Sequence, residues 1–475
     1  MQTKLRTNKI EPNDNISFPI GTIDLVNNLY ETLNFSAIFG KHKKNGIDIN
    51  KLLKALLSYK LSDNFSIKRA HEWINRIEVL ELFDLNSFSE RTLYRVLETI
   101  GDNREEIISD IQDVLFERYD FEHTNINMDW TSIVLHGNEA KLGKYGYSRD
   151  HRPDKKQITL GVTELAEPIN IPIGLTIEPG NTNDQTHFNK TYCQVRNRLK
   201  TESLVIFDKG ANSIKNTAMI RADNMQYITA KKLNKSDDKI IANFEDCNSE
   251  IIDEETGIRG IKIEKPNSIN YIYFSKKLQK EQLDSRARKV LRQIKEAKAI
   301  QESIDKHKKL PKRFRINNFL IDVDYSIQTK LVEITEEEAV KMLEEKIING
   351  REGFFCLKSS KNLTLLEALL TYRKKDSIEK IFHSLKNEIE IKPLRVWTDE
   401  SIYGAILIGF IAQLFISLLR YEIAELKHIS TKFIKKSLSN LTVTVDSWQR
   451  KTKKWIYSNF DPINTVILRM NWAVS

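Results

Sequence analysis

The sequence predicts an α/β chain. A mixed sheet flanked by helices is preceded by an all-helical N-terminal domain and interrupted by an inserted α+β, β-rich subdomain. Three observations predict it. Residues 18 to about 120 keep helical spacing, with Leu52, Leu53, Leu56 and Leu57 one turn apart. From about residue 125 the period becomes strand-like, and three apolar runs are followed by strands alternating with helices, the order of an α/β sheet with an antiparallel edge. Residues 232–365 then break this rhythm before helical spacing resumes.

In the N-terminal part, Ser66 opens a short helix, and Ser87 to Glu90 reads as a capping box ahead of Arg91. Short helices with Lys and Arg near their starts fit a helix-turn-helix unit, a pattern that any small bundle also gives. The run Asn125–Leu135 is β-rich, and a Gly/Tyr/Arg loop, Gly143 to His151, follows it. Ile158–Val162 and Ile169–Ile177 are two further strands, ended by Pro179 to Asp184. A helix over about 184–200 leads to the buried strand Leu204–Phe207 with Asp208 and Gly210 at its tip. Ser213–Ala222 is helical and Tyr227–Ala230 a strand. The insertion mixes strands (Tyr271–Phe274, Phe319–Val323) with a basic helix from Glu281 to about His307. The domains expected are therefore 1–122, 123–231, 232–365, 366–425 and a basic segment 426–475.

The 475 residues carry 40% hydrophobic and 29% charged side chains, a globular composition with room for more than one domain. The net charge of +9 fits a polyanionic partner, though a solvated Lys-rich surface gives the same total. The charge is clustered: residues 286–315 hold twelve Lys/Arg against three acids, and 427–475 hold nine against two. Three scattered cysteines, Cys193, Cys247 and Cys356, argue against a disulfide framework or a Cys-based zinc site and for a reducing compartment. The N-terminus has no signal-peptide core. Ser401–Leu419 lacks any charge and approaches bilayer length, but Gly404, Gly409, Gln413 and Ser417 interrupt it, so a buried helix is the expectation and no membrane is invoked.

Chemistry concentrates on one segment. Tyr372 to Lys386 contains no Gly or Pro and reads as a single helix. At about 100° per residue, Tyr372, Lys375, Glu379 and Lys386 fall within roughly 60° of one another, while Ile378, Ile381, Phe382 and Leu385 form its core face. A carboxylate, a phenol and two ammoniums on one surface can hold a metal ion and grip phosphates beside it. Asp129 interrupts an apolar strand and Asp208 ends another, at the strand ends where open α/β sheets bind ligands. If the helix brings Glu379 beside that edge, three carboxylates converge as hard oxygen ligands for Mg²⁺ or Mn²⁺, and two such ions support in-line phosphoryl transfer. Taken singly, a strand-end Asp is a turn former and a helical Glu a solvated one; their joint order carries the reading.

Asp129, Asp208 and Glu379 resemble the Asp-Asp-Glu triad of insertion-sequence transposases with an RNase H-like core. The helix is similar to the Tyr-x2-Arg-x3-Glu-x6-Lys signature of one branch, through Tyr372, Lys375, Glu379 and Lys386. Lys375 replaces the usual Arg, exchanging a bidentate fork for a point charge. Tyr147–Gln157, Pro179–Asp184, Asp208–Gly210 and Lys392–Trp397 match in order, so the resemblance covers residues from about 125 to 420.

The resemblance implies a DDE transposase acting on double-stranded DNA at terminal inverted repeats and at a target. It implies a homodimer in the DNA complex and two Mg²⁺ or Mn²⁺ ions on Asp129, Asp208 and Glu379. It also implies a prokaryotic cytoplasmic setting at the nucleoid and an insertion that helps hold the DNA end. Tyr372, Lys375, Lys386, Arg149, His151 and Arg152 are the phosphate contacts it points to. A nuclease on the same fold that cuts without joining, and a silent element-derived DNA-binding protein, are the alternatives. His151 with Asp150 and Asp154 mimics a metal cluster, but the loop suits turns or DNA better. Trp448, Trp455 and Tyr457 among Lys451, Lys453 and Lys454 suit core packing better than base stacking.

Overall fold

The computed structural model describes residues 15–43, 45–62, 66–137, 139–244, 249–253, 255–306, 321–323, 329–331, 335–446 and 454–469. Cys247, Phe319, Trp448, Lys451, Lys453 and the cations of 307–315 lie outside them. The chain divides into two compact units, Met1–Tyr227 with Arg373–Ser475, and Ile228–Tyr372.

The first unit opens with a strand that periodicity did not reveal, β1 (Asn15–Pro19). Seven helices follow: α1 (Gly21–Thr32), α2 (Phe35–Gly40), α3 (Ile49–Ser62), α4 (Ile67–Ile74), α5 (Ile77–Leu82), α6 (Arg91–Asp102) and α7 (Arg104–Arg118). Ser66 caps α4 by accepting from the Arg69 amide. The capping box expected at Ser87–Glu90 is absent. Glu90 itself occupies the cap position in helical conformation, and Ser87 donates instead to Asn75.

The sheet of this unit runs β4 (Pro172–Pro179), β3 (Gln157–Leu165), β2 (Ile126–Val134), β5 (Leu204–Phe207). β2, β3 and β4 pair antiparallel; β5 runs parallel to β2. Helices α8 (Asp184–Val195) and α9 (Ile214–Ala222) flank it, capped by Asn183 and Ser213. β6 (Gln226–Lys231) carries the chain across the boundary between units.

The second unit contains α10 (Lys235–Ala242), β7 (Glu250–Asp253), β8 (Ile258–Lys265), β9 (Ser268–Ser275) and α11 (Lys276–Asp305). The short hairpin β10 (Ile321–Val323) and β11 (Thr329–Leu331), then α12 (Glu336–Ile347), β12 (Phe354–Ser359) and α13 (Leu365–Arg373), complete its elements. Strands β6, β12, β9, β8 and β7 are antiparallel neighbours. Phe244, Phe274 and Phe354 pack on one side of them.

The first unit resumes with α14 (Asp376–His383), a π-helical turn (Ser384–Glu388), α15 (Asp399–Glu422) and α16 (Thr431–Asn440). Strands β13 (Thr442–Asp446) and β14 (Lys454–Ser458) and helix α17 (Pro462–Arg469) end it. β1 pairs with β13, which pairs with β14, so chain start and chain end share one small sheet. Trp455 meets Phe18 edge-on and Tyr457 donates to Asp24. The apolar side chains of the described residues 15–122 join one hydrophobic core with the sheet and α15.

The apolar stretch at 401–419 is the centre of that core. α15 is long and apolar enough to cross a membrane, yet 89% of its most apolar window is buried inside the protein. It crosses α6 at two glycines. A Cβ on Gly404 would sit 2.1 Å from the Leu97 carbonyl oxygen, and one on Gly101 1.9 Å from that of Glu400. Only hydrogen at both positions lets these backbones touch.

Candidate active site

Strand β2 positions the site through its alternation. Its side chains point to opposite faces in turn. Met128 and Trp130 are buried apolar residues on one face, where Trp130 packs against Phe188 of α8. Asn127, Asp129 and Thr131 share the other face, and each meets one residue of the α14 segment. Asn127 Nδ2 donates to Ser377 Oγ at 3.0 Å, Lys375 Nζ to Asp129 Oδ2 at 3.4 Å, and Lys386 Nζ to Thr131 Oγ1 at 2.7 Å. Glu164, opposite Asn127 on β3, is fully buried and accepts from Asn127 at 2.8 Å and from Ser377. Burial pushes its carboxyl up to about 7, against the pull of Ser377 and Asn127. This polar node fixes the start of α14 onto the strand that carries Asp129.

Glu379 is in the first turn of α14, its side chain 63% exposed. Its Oε1 lies 3.8 Å from Lys375 Nζ, the ammonium that also faces Asp129. The two carboxylate oxygens are therefore at most about 7 Å apart, 3.4 and 3.8 Å end to end. Asp129 Oδ1 also accepts from the Trp130 amide. Asp208 follows β5 directly. The parallel register ends at Met128 opposite Phe207, so Asp129 on β2 and Asp208 just past β5 each follow the last paired residue.

The loop 147–157 closes over this edge. Gln157 Nε2 donates to the Tyr147 and Gly180 carbonyls, joining the loop to the Pro179–Asp184 turn. The Arg149 amide donates to Ser132 Oγ, and its guanidinium to Asp184 Oδ2 at 2.7 Å. Asp150 lies 3.4 Å from both Lys386 and Lys392. His151 is exposed with a left-handed φ of 55°. Arg152, also exposed, forks onto Asp154 and holds that carboxyl down to about 2.

The sequence pattern of the transposase DDE domain family matches residues 121–415, more than half of the chain. The chain belongs to that family. No curated protein matches this transposase. A solved structure it is similar to is the cryo-EM structure of a piggyBac transposase synaptic complex with hairpin DNA. Identity is 11% over 90% of this chain and 80% of that one, with a TM-score of 0.40.

The donor set of the transposase suits the divalent ions that the family implies. Asp129, Asp208 and Glu379 offer only carboxylate oxygens, the hard ligands that Mg²⁺ and Mn²⁺ favour. Their ligand atoms are not all within 4.8 Å of one another; among the described residues only His42, Glu106 and Asp110 meet that spacing.

The structure revises the helix that sequence periodicity predicted. Residues 372–386 are not one helix: α13 ends at Arg373, Lys374 and Lys375 turn, and α14 starts at Asp376. Tyr372 consequently belongs to α13, in the second unit. Lys375 is not an open phosphate-gripping side chain. It is 7% exposed, because the turn points it inward between two acids. Lys386 is 11% exposed and paired with Thr131 and Asp150, where burial lowers its pKa. The π-helical turn, closed by the Ile389 amide on the Ser384 carbonyl, accompanies that orientation. Sequence reasoning missed Asn127, Thr131, Glu164, Ser377 and Asp184. The available signal was the polar alternation of Asn127, Asp129 and Thr131 within a largely apolar strand.

Proposed function

We propose that this transposase binds terminal inverted repeats of an insertion sequence, cleaves the DNA strand there and joins the freed 3′-OH to target DNA. It acts as a homodimer at the nucleoid of a prokaryotic cell. The observation that carries the reading is the docking of α14 on the polar face of β2. It brings Glu379 to within about 7 Å of Asp129, while Asp208 directly follows the end of the neighbouring strand β5.

Asp129, Asp208 and Glu379 would hold two Mg²⁺ or Mn²⁺ ions. When bound there, such ions supply an activated hydroxyl nucleophile and stabilise the leaving oxygen. The chain's own groups do the rest. Glu164, Asn127 and Ser377 set the spacing between Asp129 and Glu379. Lys375 balances the negative charge between them. Lys386 ties the π-helical turn to β2 and to the loop at Asp150. Arg149, His151 and Arg152 line the loop over the strand ends, where DNA phosphates would pass, and Tyr372 would add a phosphate contact. The basic helix α11 would extend the DNA surface through counterion release, and residues 1–122 would add recognition of the element end.

The test is an oligonucleotide assay with duplexes carrying the inverted repeats that flank the reading frame. Wild type should give Mn²⁺-dependent nicked and then joined product. Asp129→Asn should abolish both while duplex binding persists. Persisting metal-dependent nicking in that variant removes Asp129 from the chemistry, and nicking without any joined product by wild type reduces the function to a nuclease.

A further inference from the structure

A fourth carboxylate stands beside the three, and the family resemblance assigned it no role. Asp184 opens α8 after the Asn183 cap, with its side chain 23% exposed. It lies against the loop that carries Asp208: a Cβ on Gly210 would come 2.6 Å from Asp184 Oδ2. Burial raises its carboxyl pKa, Arg149 pulls it down, and the charges of Asp129 and Asp208 push it up further. The side chain therefore feels both strand-end acids.

Its hydrogen-bond partner is a cation. Arg149 Nη2 donates to Asp184 Oδ2 at 2.7 Å, a charge-assisted bond of the strong kind. Arg149 is held from the other side as well, since its amide donates to Ser132 Oγ at 2.9 Å, three positions past Asp129 on β2. A side chain tethered at its guanidinium, on a residue whose backbone is itself anchored, keeps less conformational freedom to lose when it meets an anion. With one nitrogen engaged on Asp184, the guanidinium has further donors on a side chain that is 32% exposed.

We propose that Asp184 is a positioning residue: it presents Arg149 to a DNA phosphate beside Asp129 and Asp208 and is not itself a metal ligand. Asp184 Oδ2, the oxygen nearest the Asp208 loop, is engaged by Arg149, the geometry of a carboxylate that orients a cation. This inference rests on the DNA-cleaving reading above and adds to it how one phosphate contact is held in place.

The full-length protein is titrated with a short duplex oligonucleotide across a salt series, and with Mn²⁺ alone by calorimetry, as wild type, Asp184→Asn, Arg149→Gln and the double variant. Each single change should weaken duplex binding by a similar factor and reduce the salt slope by about one phosphate. The double variant should be no weaker than Arg149→Gln. Mn²⁺ affinity should stay within about twofold of wild type, and Asp184→Glu should recover part of the duplex loss. Tighter duplex binding by Asp184→Asn would mean that the acid only screens Arg149, and overturns the proposal. So does a fall in Mn²⁺ affinity of about tenfold or more, the mark of a group serving the ion, or an additive double variant. Should Asp184→Asn not fold, Ser132→Ala against Arg149→Gln makes the same comparison from the other anchor. A wild type that fails to bind duplex sinks the DNA reading and this proposal together. A wild type that binds and cleaves while Asp184→Asn matches it sinks this proposal alone.

Discussion

Glu164→Gln isolates the cost of the buried node beneath the site. Glu164 is fully buried between Asn127 and Ser377, and its second oxygen, Oε2, has no hydrogen-bond partner. Burial raises its pKa from 4.5 to about 7. A raised carboxyl pKa means that the folded protein holds the proton more tightly than the unfolded chain. The penalty is absent below about pH 4.5, grows between the two values and is complete above about pH 7. At 1.36 kcal/mol per unit its ceiling is roughly 3 kcal/mol, most of which accrues between pH 5 and 8. Gln keeps the shape and an acceptor for Asn127 and Ser377, and does not titrate. Urea unfolding of both proteins at pH 5 and pH 8 checks this. The stability gap should move in favour of the Gln variant by about 2 kcal/mol as pH rises. A gap that is the same at both pH values refutes the argument, because then Glu164 is either ionised at both or reached by water.

Three further changes probe the frame around the site. Lys60 is buried on α3 with its ammonium on the Glu390 carbonyl at 2.8 Å, and burial lowers its pKa from 10.5 to about 7. The unfolded chain then binds the extra proton between these values, so Lys60 destabilises the fold most at and below pH 7, and less as pH rises. Lys60→Met should raise the melting temperature at pH 7, worth about 2–4 kcal/mol, and the gain should shrink toward pH 10. Gly404→Ala places a methyl against the Leu97 carbonyl oxygen and should cost about 3 kcal/mol or more, read as a lower urea midpoint. Lys386→Ala leaves Thr131 and part of Asp150 without a donor inside the protein, and should cost about 1–3 kcal/mol; an unchanged midpoint would show that this lysine is free for DNA.

The carboxylates were legible because each breaks a local pattern: Asp129 inside an apolar strand, Asp208 at the tip of another, Glu379 on the polar side of a helix with a clear core face. What surrounds them was not. The break at Lys374 and Lys375 carries no Gly or Pro, so periodicity ran through it, and the π-helical turn changes the phase of every later residue. Lys60 sits within a leucine-rich helix, and nothing local says that its stem points inward. β1 escaped because its partner, β13, lies more than 400 residues away and the pairing exists only in three dimensions. Arg149 and Asp184 are separated by two strands, and only the docked loop brings them together.

Asn127, Asp129 and Thr131 tie the packing of the fold and the proposed chemistry to the same strand face. Asn127 joins Glu164 and Ser377, Asp129 faces Lys375, and Thr131 takes Lys386, so the α14 segment is held along one strand face at three points. A one-residue slip of β2 would turn all three toward α8 and present Met128 and Trp130 to α14. The buried polar groups on both sides would then lose their partners at once. The register that keeps the protein folded is therefore the one that aims Asp129 at Glu379. A substitution that loosens α14 without unfolding the chain should lower divalent-ion affinity before it lowers the melting temperature.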